Sequence, residues 1–229
     1  MVALLVYCPP TSADTCDSCK TAYGTPAAGA KCAALKTYLT CLETSAKGDA
    51  GCPLPAADAG TIETDYTADT CSTSFTDTCV CQKEFWKTDQ STGDAAVCSA
   101  SQTYIACLKG KTALPCDGTS TVITLATGVE SRMNALTTPA CAITDTCQCE
   151  IDYAKADIST DAKKCTALTA LKICLSAITT TTQEGCSGTT QADLLTDTNT
   201  KITAATCGGE HVTFAVTSLI VSVVAGMFL

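Results

Sequence analysis

Nineteen cysteines stand in this 229-residue chain, and eighteen of them fall into three copies of one spacing. The first set is Cys16, Cys19, Cys32, Cys41, Cys52 and Cys71; the second is Cys79, Cys81, Cys98, Cys107, Cys116 and Cys141; the third is Cys147, Cys149, Cys165, Cys174, Cys186 and Cys207. Each set opens with Asp-Thr-Cys and places an aromatic four residues past its second cysteine (Tyr23, Phe85, Tyr153). Its third and fourth cysteines are nine apart, and leucine follows the fourth (Leu42, Leu108, Leu175). Internal repetition of this kind marks a chain assembled from copies of one small unit. A second framing starts the sets at Cys8, Cys71 and Cys141 and leaves over Cys207 instead of Cys8. Either framing gives even sets that can pair completely, with the connectivity left open. The first is preferred, because cleavage after Ala13 removes Cys8 and keeps Cys207.

Two stretches predict local structure. "KCAALKTYLTCLET" places Cys32, Leu35, Leu39 and Leu42 at steps of three and four, and "KCTALTALKICLSA" repeats this with Cys165, Leu168, Leu171 and Leu175. That period predicts amphipathic helices. Nine residues of helix make two and a half turns. The third and fourth cysteines of a set therefore face opposite sides and must join their helix to two different neighbours. The Asp-Thr-Cys opening predicts another helix, whose Asp or Thr accepts the unpaired N–H groups of the first turn. The aromatic falls on the same face as the second cysteine. Third helices are expected at "QADLLTDTNTKITAA" and "GVESRMNAL", while "GDAGCPLP" and "TALPCDGTS" read as loops.

The expected fold is all-α, with three tandem disulfide-rich units over 14–76, 77–144 and 145–207, each of two to three short helices. Units of about 65 residues are marginal on a hydrophobic core alone. Three bridges per unit, at about 2–4 kcal/mol each, would supply most of the missing stability.

Cysteine at this density means either disulfides in an oxidising compartment or metal thiolates in a reducing one. The regular sixfold pattern and the apolar helices between cysteines favour disulfides over metal at Cys79/Cys81 and Cys147/Cys149. A redox reading of Cys16/Cys19 fails because the other sets have one intervening residue there rather than two. No metal or cofactor is expected. With 14 Lys and Arg against 23 Asp and Glu, the net charge of −9 excludes nucleic acid and anionic lipid surfaces as partners. The single histidine is His211. It lies in the C-terminal tail, so removal of the tail leaves no imidazole for a nucleophile–base pair or a His-containing zinc site.

That tail, "CGGEHVTFAVTSLIVSVVAGMFL", is apolar from Val212 to Leu229 and has no basic flank. A retained spanning helix usually has one. Small residues, a polar spacer and an apolar end are instead the pattern of a glycosylphosphatidylinositol (GPI) signal spanning 208–229, with the lipid attached at Gly208 in place of the residues that follow it. An attachment point near Ala204-Ala205 would lengthen the spacer. At the other end, residues 1–13 read as a secretory signal, with Thr11-Ser12-Ala13 as the cleavage site.

The remaining motifs are weaker. "KGKT" at Lys109–Thr112 has Ile105 where a phosphate loop needs glycine, and reads as a basic loop. "TDTNTK" at Thr196–Lys201 has Lys201 and Ile202 where a calcium loop needs its third ligand and glycine, and reads as a solvated helix face. No pair of carboxylates stands out for glycosidase chemistry. Tyr23, Phe85 and Tyr153 read as core. Trp86 occurs only in the middle set and is either an exposed recognition residue or a local packing solution. Asn134 and Asn199 lack the Ser or Thr of an N-glycan acceptor. The run "TTTTQ" at Thr179–Gln183 suits either O-linked sugar or an unmodified solvated loop.

The functional expectation is a non-enzymatic, extracellular, GPI-anchored surface protein with a structural, adhesion or display role. Its partners would be the membrane, through the lipid, and extracellular proteins or like molecules. The alternative is a binding module that captures a small molecule or peptide between helices of the middle unit, near Trp86, where Ser101 replaces Leu35 and Leu168. A histidine-free hydrolase is the third reading.

Overall fold

The structure, a computed structural model, describes residues 15–46 and 48–207. Those residues form nine α-helices and no strand; the only β pairings are two isolated bridges. The first cysteine set is carried by α1 (Cys16–Tyr23), α2 (Lys31–Thr44) and α3 (Ala56–Ala68), with a 3-10 turn at Cys71–Thr73. The second set has α4 (Asp77–Trp86), α5 (Asp94–Leu108) and α6 (Val122–Asn134). The third has α7 (Asp145–Ala154), α8 (Asp161–Ala177) and α9 (Gln191–Ala204). The chain is all-α, and the three-by-three grouping is compatible with tandem units.

Nine disulfides tie these helices together. Cys16–Cys52, Cys19–Cys41 and Cys32–Cys71 close the first set. Cys79–Cys116, Cys81–Cys107 and Cys98–Cys141 close the second. Cys147–Cys186, Cys149–Cys174 and Cys165–Cys207 close the third. In each set the order is first to fifth, second to fourth and third to sixth. The two cysteines of the central helix go to different partners, as half-turn spacing demands. Cys207 is paired; Cys8 lies outside the described residues.

Burial follows the helical period. Leu35, Tyr38, Leu39 and Leu42 form the inner face of α2, and Leu168, Leu171 and Leu175 that of α8. Leu42, Leu108 and Leu175, each next to a fourth cysteine, are fully buried. One continuous core runs through the first two sets and takes in Cys147, Ile151 and Ala154 of α7. A smaller core around Leu168, Leu171, Leu175 and Leu194 serves the third set. The sets therefore share apolar burial across their boundaries, which relieves the marginality of a unit standing alone.

Threonine side chains cap six of the helices, but not always the expected threonine. Thr15 of the first Asp-Thr-Cys accepts from the Ser18 N–H and forms a reciprocal capping box. In the second and third sets the cap is one residue before the motif, at Thr76 and Thr144. Asp77 and Asp145 then occupy the first helical position, where their charge suits the helix dipole. The motif threonines turn inward: Thr78 Oγ1 donates to the Ala113 carbonyl at 2.7 Å, and Thr146 Oγ1 to Gln183 Oε1 at 2.8 Å. Helix α3 has no apolar period to announce it. It contains Gly60, and Ile62 is its only large aliphatic side chain.

Candidate functional site

The densest polar geometry in the described residues lies at two seams, where the first helix of one set enters between the helices of the set before it. At the first seam α4 meets α2 and α3. Glu43 Oε1 accepts from Trp86 Nε1 at 3.2 Å and from the Tyr104 hydroxyl at 2.8 Å. Burial, and then the Glu43 charge, push the Tyr104 phenol well above its ordinary range. The Arg132 guanidinium lies over both Phe85 and Trp86, 5.0 and 4.9 Å from the ring centroids. Trp86 is 3% exposed. The cavity beside it, lined by Ser45, Pro53, Gln90 and Arg132, holds about 10 Å³, roughly one water. Of the two sequence readings of Trp86, its burial is that of the packing solution.

A carboxylate on the third helix of each preceding set completes both seams. Glu63 of α3 accepts from Lys83 at 2.7 Å and from Lys87 at 3.2 Å. The Lys83 hydrogen bond holds the Glu63 carboxyl below its ordinary range against the opposing effect of burial. Lys83 also lies 4.2 Å from the Tyr66 ring centroid. At the second seam Glu130 of α6 pairs with Lys155 at 2.8 Å. Lys87 and Lys155 both stand six residues past the second cysteine of their sets, so one ion pair recurs at both seams.

The second seam adds a buried pair. Lys109 Nζ donates to Glu150 Oε1 at 2.5 Å, and the Glu150 side chain is 0% exposed. The other carboxylate oxygen accepts from the Cys186 N–H at 2.6 Å. Gln82 holds the corresponding place in the second set and accepts from the Cys116 N–H at 2.7 Å. A polar side chain one residue past the second cysteine thus fixes the backbone of the fifth. Glycine is needed at 185, because a Cβ there would overlap the Glu150 carboxylate.

The outer faces of the first and third sets lack these devices. Two residues past the second cysteine, Lys83 and Ile151 are buried, whereas Thr21 of α1 is exposed. Seven past the third cysteine, Leu39 and Ile105 are fully buried and Lys172 of α8 is exposed. Two past the fourth cysteine, Glu43 and Lys109 cross the seams and Ser176 is exposed.

Among the described residues no group of three His, Cys, Asp or Glu side chains is placed to hold a metal ion. A groove of about 560 Å³ is lined mainly by alanines of the third set and the Cys165–Cys207 bridge. Asp65, beside Tyr23 and Lys31, is a further buried carboxylate. Burial opposes its ionisation, but hydrogen bonds from Lys31 at 2.5 Å and Tyr23 at 2.6 Å hold its carboxyl below the ordinary 3.8. These contacts join helices within and between sets, and none forms a nucleophile–base pair. "TDTNTK" lies inside α9, and Lys109 of "KGKT" is the half-buried partner of Glu150. The proposed signal at 1–13, the anchor residue Gly208 and the tail 208–229 lie outside the described residues.

No family model matches the chain, and no curated protein or solved structure is significantly similar to it. Sequence reasoning passed over Glu43, Glu150, Lys87 and Lys155, and read Lys109 only as part of a basic loop. Register on the second cysteine would have aligned Lys87 with Lys155; Thr25 at that place in the first set hides the pattern.

Proposed function

We propose that the protein is an extracellular, GPI-anchored surface protein of three tandem disulfide-stapled helical units, with a non-enzymatic structural, adhesion or display role. The observation that carries this reading is the closure of all eighteen described cysteines into nine disulfides. Chains so heavily cross-linked belong to oxidising compartments, where the bridges form and persist. The apolar segment from Val212 to Leu229, five residues past the last bridge, has the composition of a discarded anchor signal. Such a design suits display. Cross-linked helices withstand conditions outside the cell, and excess carboxylates keep neighbouring copies apart. A lipid anchor would leave each copy laterally mobile.

The test is intact mass and release by a phosphatidylinositol-specific lipase, on protein displayed at a eukaryotic cell surface. The expected result is a released chain that lacks Val212–Leu229 and gains, on reduction, the hydrogens of eighteen paired cysteines. A retained tail, or free thiols before reduction, refutes the reading.

A further inference from the structure

The helices and the loop between α8 and α9 use threonine in two ways. Within helices most of the hydroxyls are turned onto the backbone four residues earlier. Thr37 donates to Ala33, Thr61 to Ala57, Thr103 to Ser99, Thr166 to Ala162 and Thr196 to Ala192, at 2.9–3.3 Å. This back-bonding occupies the oxygen and lays it along the helix. Thr179, Thr180, Thr181 and Thr182 are different. All four are exposed and non-helical, and among the described residues their hydroxyls make no hydrogen bond.

Their loop is nevertheless held firmly at its base. Cys174 and Cys186 flank the run, bonded to Cys149 and Cys147 of α7. The Thr181 carbonyl accepts from the Ala192 N–H at 3.1 Å, and Gln183 accepts from both the backbone and hydroxyl of Thr146. The result is four adjacent free hydroxyls presented outward on a fixed platform. The corresponding loops of the other sets, "LETSAKGDAG" and "LKGKTALP", contain no such run.

We propose that Thr179–Thr182 is an O-glycosylation site. Threonine Oγ1 attacks the anomeric carbon of a sugar activated as a nucleotide or lipid phosphate. The carbon–oxygen bond to the phosphate breaks, the new bond to Oγ1 forms, and the hydroxyl proton passes to a base of the transferase. That chemistry needs an exposed, non-helical segment that a transferase can grip and an oxygen that is not already bonded. The loop supplies both, whereas the helical threonines lack the irregular backbone and most have their oxygen already bonded. The proposal rests on the extracellular reading, because the transferases concerned work along the secretory route.

The test uses the full chain behind an efficient secretory leader in eukaryotic cells, so that entry does not depend on residues 1–13. Peptides are mapped by electron-transfer fragmentation. The expected result is one or more hexose or N-acetylhexosamine units on Thr179–Thr182 and none on Thr103, Thr166 or Thr196. The variant T179A/T180A/T181A/T182A should lose that mass while keeping nine disulfides. An unmodified loop in disulfide-closed protein overturns the proposal, as does sugar confined to helical threonines. Failure of lipase release, with the loop still glycosylated, would instead count against the anchor alone.

Discussion

Replacing Lys109 with methionine removes the only cation, among the described residues, within hydrogen-bonding reach of the Glu150 carboxylate, which is 0% exposed, while Lys109 itself is 14% exposed. Leaving a fully buried charge without its partner costs about 3–5 kcal/mol. For a chain of this size each kcal/mol lowers the melting temperature by about 2–4 °C, so Lys109→Met should lose about 6–20 °C. Glu150→Gln is gentler. Its amide oxygen still accepts from the Cys186 N–H, as Gln82 does from the Cys116 N–H, and only the charged hydrogen bond is lost, worth about 1.5–3 kcal/mol. The double variant no longer buries an unpaired charge and should come back to within about 1 kcal/mol of the parent. Thermal unfolding of the disulfide-intact proteins, followed by circular dichroism, measures all four corners of the cycle. A Lys109→Met melting point within about 2 °C of the parent, or a double variant no better than Lys109→Met, would refute the argument.

Two further outcomes follow from the buried polar groups. Asp65 is held below 3.8 in the fold, so its stabilising contribution is whole above that value and is lost as pH falls through the lower folded one. Melting temperature should therefore drop below about pH 4, and Asp65→Asn should flatten this acid limb; an unchanged limb would assign it to other carboxylates. Ser101 is fully buried with a hydroxyl that has no partner among the described residues, at the position where Leu35 and Leu168 stand. Ser101→Ala should be neutral or stabilise by up to about 1 kcal/mol in chemical denaturation, and a clear loss would mean the hydroxyl is satisfied in solution.

The helical fold was legible because leucine period and cysteine spacing state the same thing about α2 and α8. Half-turn geometry also excluded pairing between the two cysteines of each central helix. What was hidden has physical causes. Helix α3 depends on burial of Ile62 and on contacts with its neighbours, and Gly60 and its threonines carry little intrinsic preference for helix. The displaced caps at Thr76 and Thr144 depend on where Thr78 and Thr146 find inward acceptors, which no local pattern records. Glu43, Lys109 and Glu150 read as ordinary surface charges, because their partners are 41 to 61 residues away. Trp86 could be marked as an exception to the repeat, but its burial depends on Glu43 from the preceding set.

The overlapping order of the bridges also determines what a protease can do to the protein. Within each set the first-to-fifth and third-to-sixth bridges overlap, so every peptide bond from Cys16 to Cys71, Cys79 to Cys141 and Cys147 to Cys207 lies inside a closed loop. A single cut anywhere in those spans leaves both pieces covalently joined. Among the described residues the connections through Ser72–Thr78 and Ala142–Thr146 lack such a bypass, and there the shared core, the seam ion pairs and the Glu43 hydrogen bonds hold the cut ends together. A molecule nicked within a set would thus stay in one covalent piece, and separating one set from the next would require cleavage in one of those two connections.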